Sequence, residues 1–564
     1  MHELIQKIVA RLPLDFRVLY GQFLLRVIDL EALSVEADVL GFLGQFAGVL
    51  IMLSVVHSMV TYIGYVYITG PDEPIAFLRH MQHYLIATTM LVVGLATVIS
   101  WDSTFPDRRD VMVLSPLPIA PRTILLAKLT ASLAVLGLAV FTLNVASGLM
   151  LPLILGAQPG PALGQFQSIP AWWVANVAAS IFLYGSVLTV QGFTALMLPR
   201  RIFLRLSAFL QLAAFGLFIG VYFVQPSLTT PAAWEAPGSQ WILASSPSYW
   251  FWAMFKQMNG TLPDQSKWVA QRAWIGLGLA VTGAGLSLLL CYLRTMKKTV
   301  EEPDLVPGAG SINWIPRLGN PLQNAVVQFS IRSITRSRQQ RVAFAFYLAF
   351  VFALAFSMAR GEMAATGTIP VSMDLLFPTF LMMFFTVVGL RTVFSIPISL
   401  TANWVLRTTQ VRLPEKYVAA TRATLLLFGV MPAWLLSAAL ALRFGPALQV
   451  MGHLVVLAML GCILAEVCLI GFHKVPFTCS YLPGKANIQL IFWGSLIALV
   501  SLVLPCMEFE LRALHEPNKF GFMICILVGC AIALFVYNDI RAKSAVIHFE
   551  EIPDEVITTL KLSA

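Results

Sequence analysis

The sequence predicts an all-α polytopic membrane protein of about twelve transmembrane helices, arranged as two pseudo-symmetric six-helix halves. Three observations predict it. Only 12% of the 564 residues are charged and 58% are apolar, against roughly 25% charged in soluble domains. Twelve apolar runs reach the length at which a helix crosses hydrocarbon, about 20 residues: near 40–66, 84–101, 124–154, 171–197, 203–224, 271–293, 342–358, 375–396, 418–443, 449–472, 488–506 and 520–538. These runs are continuous, whereas a membrane β-barrel shows short alternating segments, and a helix satisfies every backbone amide within itself.

The third observation is a collinear repeat. Val93-Gly94-Leu95-Ala96-Thr97-Val98-Ile99-Ser100 returns as Val388-Gly389-Leu390-Arg391-Thr392-Val393-Phe394-Ser395, six identities in eight, and each copy is followed by a Leu-Pro pair at Leu117-Pro118 and Leu413-Pro414. Gln22-Phe23-x-x-Arg26-x-Ile28 returns as Gln328-Phe329-x-x-Arg332-x-Ile334, and Phe193-Thr194-x-x-x-Leu198-Pro199 as Phe477-Thr478-x-x-x-Leu482-Pro483. Offsets of 306, 295 and 284 in chain order read as an internal duplication.

Taken in order, residues 1–35 of the first half (1–296) place Leu4, Ile5, Ile8, Val9 and Leu12 at helical spacing with Glu3, Lys7 and Arg11 opposite, the pattern of an amphipathic helix in the headgroup layer. The segment lacks the continuous apolar core of a signal peptide and is expected to be retained. Residues 102–122 leave the membrane between two spans. Pro106 suits a first helical turn, Val111, Val113 and Leu114 give an apolar side, and Pro116 and Pro118 stop the helix because proline has no amide donor. The result is a compact charged knob, with Arg108, Arg109 and Asp110 at its centre. Residues 225–270 hold Trp234, Trp241, Tyr249, Trp250, Phe251, Trp252 and Phe255. Two readings stand side by side there: an interfacial helix, since Trp and Tyr favour the bilayer boundary, or an external gate with Trp250 and Trp252 over a translocation path. Residues 297–320 are charged, then rich in Gly and Pro, and read as a linker. The second half, 321–564, repeats the plan with an amphipathic helix at 321–341 and a polar loop at 397–417 containing Asn403, Trp404 and Arg407.

Net charge is +9, but Arg and Lys crowd alternate loops, among them Arg108, Arg109 and Arg122, then Arg294, Lys297 and Lys298, then Arg407, Arg412 and Lys416, then Arg541 and Lys543. The positive-inside rule places these loops and both termini in the cytoplasm of a cell inner or plasma membrane. The basic surface then meets anionic membrane lipids as its partner, with no nucleic acid. Seven cysteines lie mostly within spans with no CxxC pair and read as small packing residues, not as metal ligands or disulfides.

Ionisable groups inside spans are costly and draw attention. Arg391 and Glu466 are the intramembrane candidates, replacing Ala96 and Phe182 of the first repeat, and a buried pair between them is one reading. His57 and His453 read as packed or interfacial. No catalytic constellation or metal site is present in the sequence; Pro483-Gly484-Lys485-Ala486 lacks the upstream Gly and the hydroxyl of a phosphate loop, so the chain has no such route to ATP and needs no cofactor of its own.

The knob between two spans, its Leu-x-Pro element at Leu114-Ser115-Pro116, the downstream Lys128 and the amphipathic leading helix resemble ABC-2 type permeases. The resemblance implies six helices per unit, export of a lipid-like or amphipathic substrate, and two ABC ATPase subunits bound in trans that hold the ATP and Mg. It further implies that Arg108, Arg109, Asp110, Leu114 and Pro116 dock on one ATPase and Asn403, Trp404 and Arg407 on the other. The second loop departs from the pattern, having no charged triplet. The rival readings are a secondary transporter, which normally carries midplane ion sites, and an integral-membrane lipid-processing enzyme.

Overall fold

The structure, a computed structural model, describes residues 13–27, 39–64, 74–100, 113–114, 116–150, 165–228, 244–301, 321–363, 371–398, 414–444, 446–472, 475–478 and 505–544. Of the described residues 90% are helical and none lies in a strand. Nine described helices are long and apolar enough to cross a membrane, so the chain is a multi-pass helical protein by length and composition. Two more apolar stretches, Phe209–Phe223 and Ala343–Ala355, fall on the predicted runs 203–224 and 342–358 but are shorter. The run 488–506 lies almost wholly outside the described residues.

The helices fall into two compact units that divide at residues 308 and 309. The first contains α1 (Leu14–Val27), α2 (Val39–Ile63), α3 (Pro74–Ile99), α4 (Pro121–Asn144), α5 (Gln165–Met197), α6 (Arg200–Leu228), the short α7 (Pro247–Met258) and α8 (Lys267–Glu301). Proline sets several starts. Ala120 and Ser246 are extended, with ψ of 133 and 118, and Pro121 and Pro247 follow at the first helical turn, where the missing amide costs nothing. The core is built on α5 and α8, which pack tightly because their facing residues are small. A Cβ on Gly185 would come within 2.9 Å of the Ala280 carbonyl oxygen, and one on Gly283 within 2.8 Å of Thr189 Oγ1. Without a hydrophobic drive between helices in lipid, such close approach supplies the dispersion contact that holds them.

The second unit contains α9 (Pro321–Arg336), α10 (Arg338–Met363), α11 (Met373–Val393), α12 (Pro414–Leu425), a π-helical turn (Leu426–Val430), α13 (Met431–Phe444), α14 (Ala447–Leu469), α15 (505–513) and α16 (Pro517–Ser544). The apolar run 418–443 is thus one span carrying a π turn, at which Gly429 lies against Val387 of α11. The amphipathic segment predicted at 321–341 divides at Ser337, where α9 ends and α10 begins.

The two units share much of a neighbour map. The leading helix packs on the helix after the long polar loop in both, α1 on α4 and α9 on α12. α5 pairs with α8 as α14 does with α16, and α3 with α5 as α11 does with α14. Other pairings differ: α2 rests chiefly on α4, whereas α10 rests chiefly on α11, and α12 also touches α16. Two of the three sequence echoes occupy matching places, Gln22-Phe23 and Gln328-Phe329 on the leading helices, and 93–100 and 388–395 at the ends of α3 and α11. The third does not. Phe193 and Thr194 are helical in α5, while Phe477 sits in a turn at φ 66, its amide bonded to the Phe394 carbonyl at 2.8 Å.

The described cysteines divide: Cys462 and Cys468 are half-buried, while Cys506, Cys525 and Cys530 are exposed and do not pack within the chain; Phe522, Ile526, Ile532 and Phe535 are exposed with them because α16 turns most of its apolar surface outward.

Candidate functional site

Three polar features interrupt the apolar units. The first is the knob. Arg108, Arg109 and Asp110, and likewise Asn403, Trp404 and Arg407, lie outside the described residues. Its second half is described. Leu114 packs with Ile119 against a cluster of Leu19 and Phe23 from α1 and Ile124, Ala127 and Ala131 from α4. Lys128 is buried with its Nζ 5.1 Å from the centre of the Phe23 ring. Leu117 donates its amide to the Leu114 carbonyl, closing a turn that leaves Pro116, Leu117 and Pro118 exposed. The leading helix and the described part of the knob, through Leu114 and Ile119, are therefore packed together. At the helix ends before each polar loop, buried glutamines satisfy free carbonyls: Gln211 Nε2 donates to Val98 O at 2.7 Å and Gln340 Nε2 to Ile396 O at 3.2 Å.

The second feature is the pair of short helices, α7 and α15, each tied to neighbouring spans by buried polar links. On α7, Ser248 Oγ is bonded to His83 Nε2 at 3.0 Å and Trp252 Nε1 donates to Gln82 Oε1 at 3.3 Å, both on α3. Just past α7, Asn259 Oδ1 accepts from Ser168 Oγ of α5 at 2.7 Å. On α15, Glu510 Oε1 is 2.8 Å from His453 Nδ1 of α14, whose Nε2 is 2.9 Å from Thr379 Oγ1 of α11. His453, named from sequence, is thus packed in a three-helix chain, while Glu510 and Thr379 were missed because neither stands out in its own segment.

Trp250 and Trp252 belong to this feature. Trp250 Nε1 and Arg272 Nη1 of α8 both donate to the Ala244 carbonyl, and Trp252 stacks on Tyr249 with centroids 5.3 Å apart. Residues 251–256 are all buried, among α3, α5 and α8. Six consecutive buried residues show that α7 is enclosed by its neighbours in the first unit, with Gln257 left exposed. Burial pushes the Lys256 ammonium from 10.5 to about 8, the Arg79 charge adding to the shift, and pushes the Tyr249 phenol up.

The third feature overturns the expected Arg391–Glu466 pair. Glu466 of α14 instead accepts from Arg422 of α12, Nε to Oε1 at 2.5 Å and Nη2 to Oε2 at 3.1 Å, and from Asn538 Nδ2 of α16 at 2.9 Å. Arg391 donates from Nε to the Cys468 carbonyl at 2.7 Å, with its guanidinium 4.2 Å from the centre of the Phe472 ring. The physical reason is helical phase. Position 391 meets the end of α14, beyond Glu466, while position 422 meets Glu466 across α12 and α14, where a planar fork matches a carboxylate. A small cavity of ≈ 100 Å³ lies alongside, lined by Val418, Leu469–Phe472, Tyr537, Asn538 and Arg541.

Among the described residues no group of three or more His, Cys, Asp or Glu side chains is placed to hold a metal ion. No family model, curated protein or solved structure matches the chain.

Proposed function

We propose that the chain is the permease subunit of an ABC transporter of ABC-2 type, exporting a lipid-like or amphipathic substrate. In this reading two fused six-helix halves form the path across a cell inner or plasma membrane, both termini are cytoplasmic, and two ATPase copies bound in trans supply ATP, Mg and hydrolysis. The observation that carries it is the doubled arrangement in which a leading helix packs on the helix following a long polar loop, α1 on α4 and α9 on α12. Through Leu114 and Lys128 a push on the knob reaches both helices together. ATP closing the ATPase pair then moves the helices between inward and outward access, the work coming from the difference in ATPase affinity for the two states.

The test is purification of the chain in mild detergent from its native membrane. An ATPase carrying a phosphate-loop motif, near two copies per chain and depleted by Arg108→Ala/Arg109→Ala, is the expected result. A chain that arrives alone under every gentle condition contradicts the proposal and favours a secondary transporter.

A further inference from the structure

Lys256 is 8% exposed. Its Nζ stands 5.9 Å from the ring centres of Trp252 and Phe255. Among the described residues it has no carboxylate partner, and neither does Arg79, the α3 guanidinium whose positive charge acts on it. Arg79 is exposed, so of the two only the Lys256 charge is withdrawn from solvent, and a buried ammonium without an anion opposes folding. A further donor waits on the same side of α3. Gln82 is fully buried, its Oε1 is taken by Trp252 Nε1, and its Nε2 has no partner. Trp252 touches both Gln82 and Lys256, so these two donors share one aromatic side chain, and the exposed Arg79 stands three residues before Gln82 on α3. Buried donors without acceptors mark a place that a ligand or water completes.

We propose that Lys256, Arg79 and the Gln82 amide form a binding site for a phosphate-type oxyanion, with Trp252 and Phe255 as its apolar wall. The donor set contains ammonium, guanidinium and amide N–H groups, the chemistry that phosphate oxygens accept from. The aromatic wall suits an oxyanion attached to an apolar body. The oxyanion comes either from the headgroup of an amphipath, which deepens the transport reading and rests on it, or from free phosphate.

The experiment uses the full chain alone in neutral detergent, without any ATPase, so its failure and that of the transport reading are separable. Thermal unfolding is followed with inorganic phosphate against chloride at equal ionic strength, and with dihexanoyl phosphatidic acid against dihexanoylglycerol, which lacks the phosphate. Ligand that binds only the folded chain raises Tm by mass action. The wild type and Lys256→Arg are expected to be protected, and Lys256→Met and Arg79→Gln to need at least tenfold more ligand. Protection of the wild type is expected to fade as pH rises from 7 to 9.5, because burial sets Lys256 to lose its proton near 8. The other titratable or charged groups that face α7 are His80 and His83 from α3, Lys267 and Arg272 from α8, and Tyr249 on α7 itself; Lys256→Met keeps them all, so pH dependence surviving in it is not due to Lys256. Protection by phosphatidic acid alone assigns the site to a headgroup, and equal protection by inorganic phosphate assigns it to free phosphate. Equal protection of wild type and Lys256→Met, or none by either probe in the wild type, overturns the proposal. Lys256→Met is checked for folding by its own transition, which without ligand is expected above that of wild type at pH 7.

Discussion

Glu466 and Lys256 bury charge in opposite ways. The Glu466 carboxylate meets the Arg422 fork and the Asn538 amide with side-chain exposure of 7% and 12% for the ion pair. Removing one partner of such a pair leaves the other charge uncompensated, at a cost of about 3 kcal/mol. Glu466→Gln is therefore expected to lower Tm in detergent clearly, and Glu466→Gln/Arg422→Met to recover much of the loss; equal Tm in all three chains would contradict the pairing. Lys256 carries its charge without such a partner, and its effect on stability has a defined sign. Its proton is held more weakly folded, near 8, than unfolded, at 10.5. The unfolded chain binds more protons between those values, so ligand-free stability rises as pH goes from 8 to 10.5, by up to about 3 kcal/mol from this group. Chemical denaturation at pH 7 and pH 10 is expected to show that rise in wild type and its absence in Lys256→Met. A carboxylate inside an apolar run was legible in sequence at Glu466. Its partner was not, because Arg391 and Arg422 lie on different helices and only the packed rotation of each decides which one faces it.

At the scale of elements, apolar run length located most of the spans, since it acts locally, while the helix starts at Pro121, Pro247 and Pro414, which ring geometry favours, came from the structure. What escaped was burial. Residues 247–258 read as an aromatic segment fit for an interface, yet α7 is enclosed, a property of its neighbours α3, α5 and α8 rather than of its own sequence. The polar links of α7 imply a test. Ser248→Ala removes the contact with His83 and is expected to raise hydrogen exchange across 247–258 several-fold while exchange in α4 is unchanged; unaltered exchange in α7 would mean apolar packing alone fixes it. The α5–α8 seam gives a second. Gly185→Val places a branched side chain where even a Cβ lies 2.9 Å from the Ala280 carbonyl oxygen, so the helices must separate, at a cost of roughly 1–3 kcal/mol. A Tm equal to wild type would show that the contact is not tight.

Across the whole chain, composition and run length established a multi-pass helical protein, because the bilayer admits few alternatives. The sequence carries three short echoes, and the structure adds what motifs do not carry: pairings common to both units, and buried polar links on both short helices. The echo at Phe477 shows the limit, since the same residue pair is helical in one unit and lies in a turn in the other. The proposed topology makes a separate prediction. A membrane-impermeant maleimide is expected to label Gly238→Cys in intact cells, and Gly308→Cys only after permeabilisation; the reverse pattern would invert the orientation drawn from the basic loops.

The central claim, that a partner ATPase drives this permease through the knob at 102–122, is tested most directly by ATP hydrolysis of the complex purified from native membrane and placed in lipid nanodiscs. The account predicts hydrolysis by wild type and at least a tenfold lower rate per chain for Arg108→Ala/Arg109→Ala with the permease still folded. Hydrolysis that is absent from the wild-type preparation, or equal in the two, would contradict it.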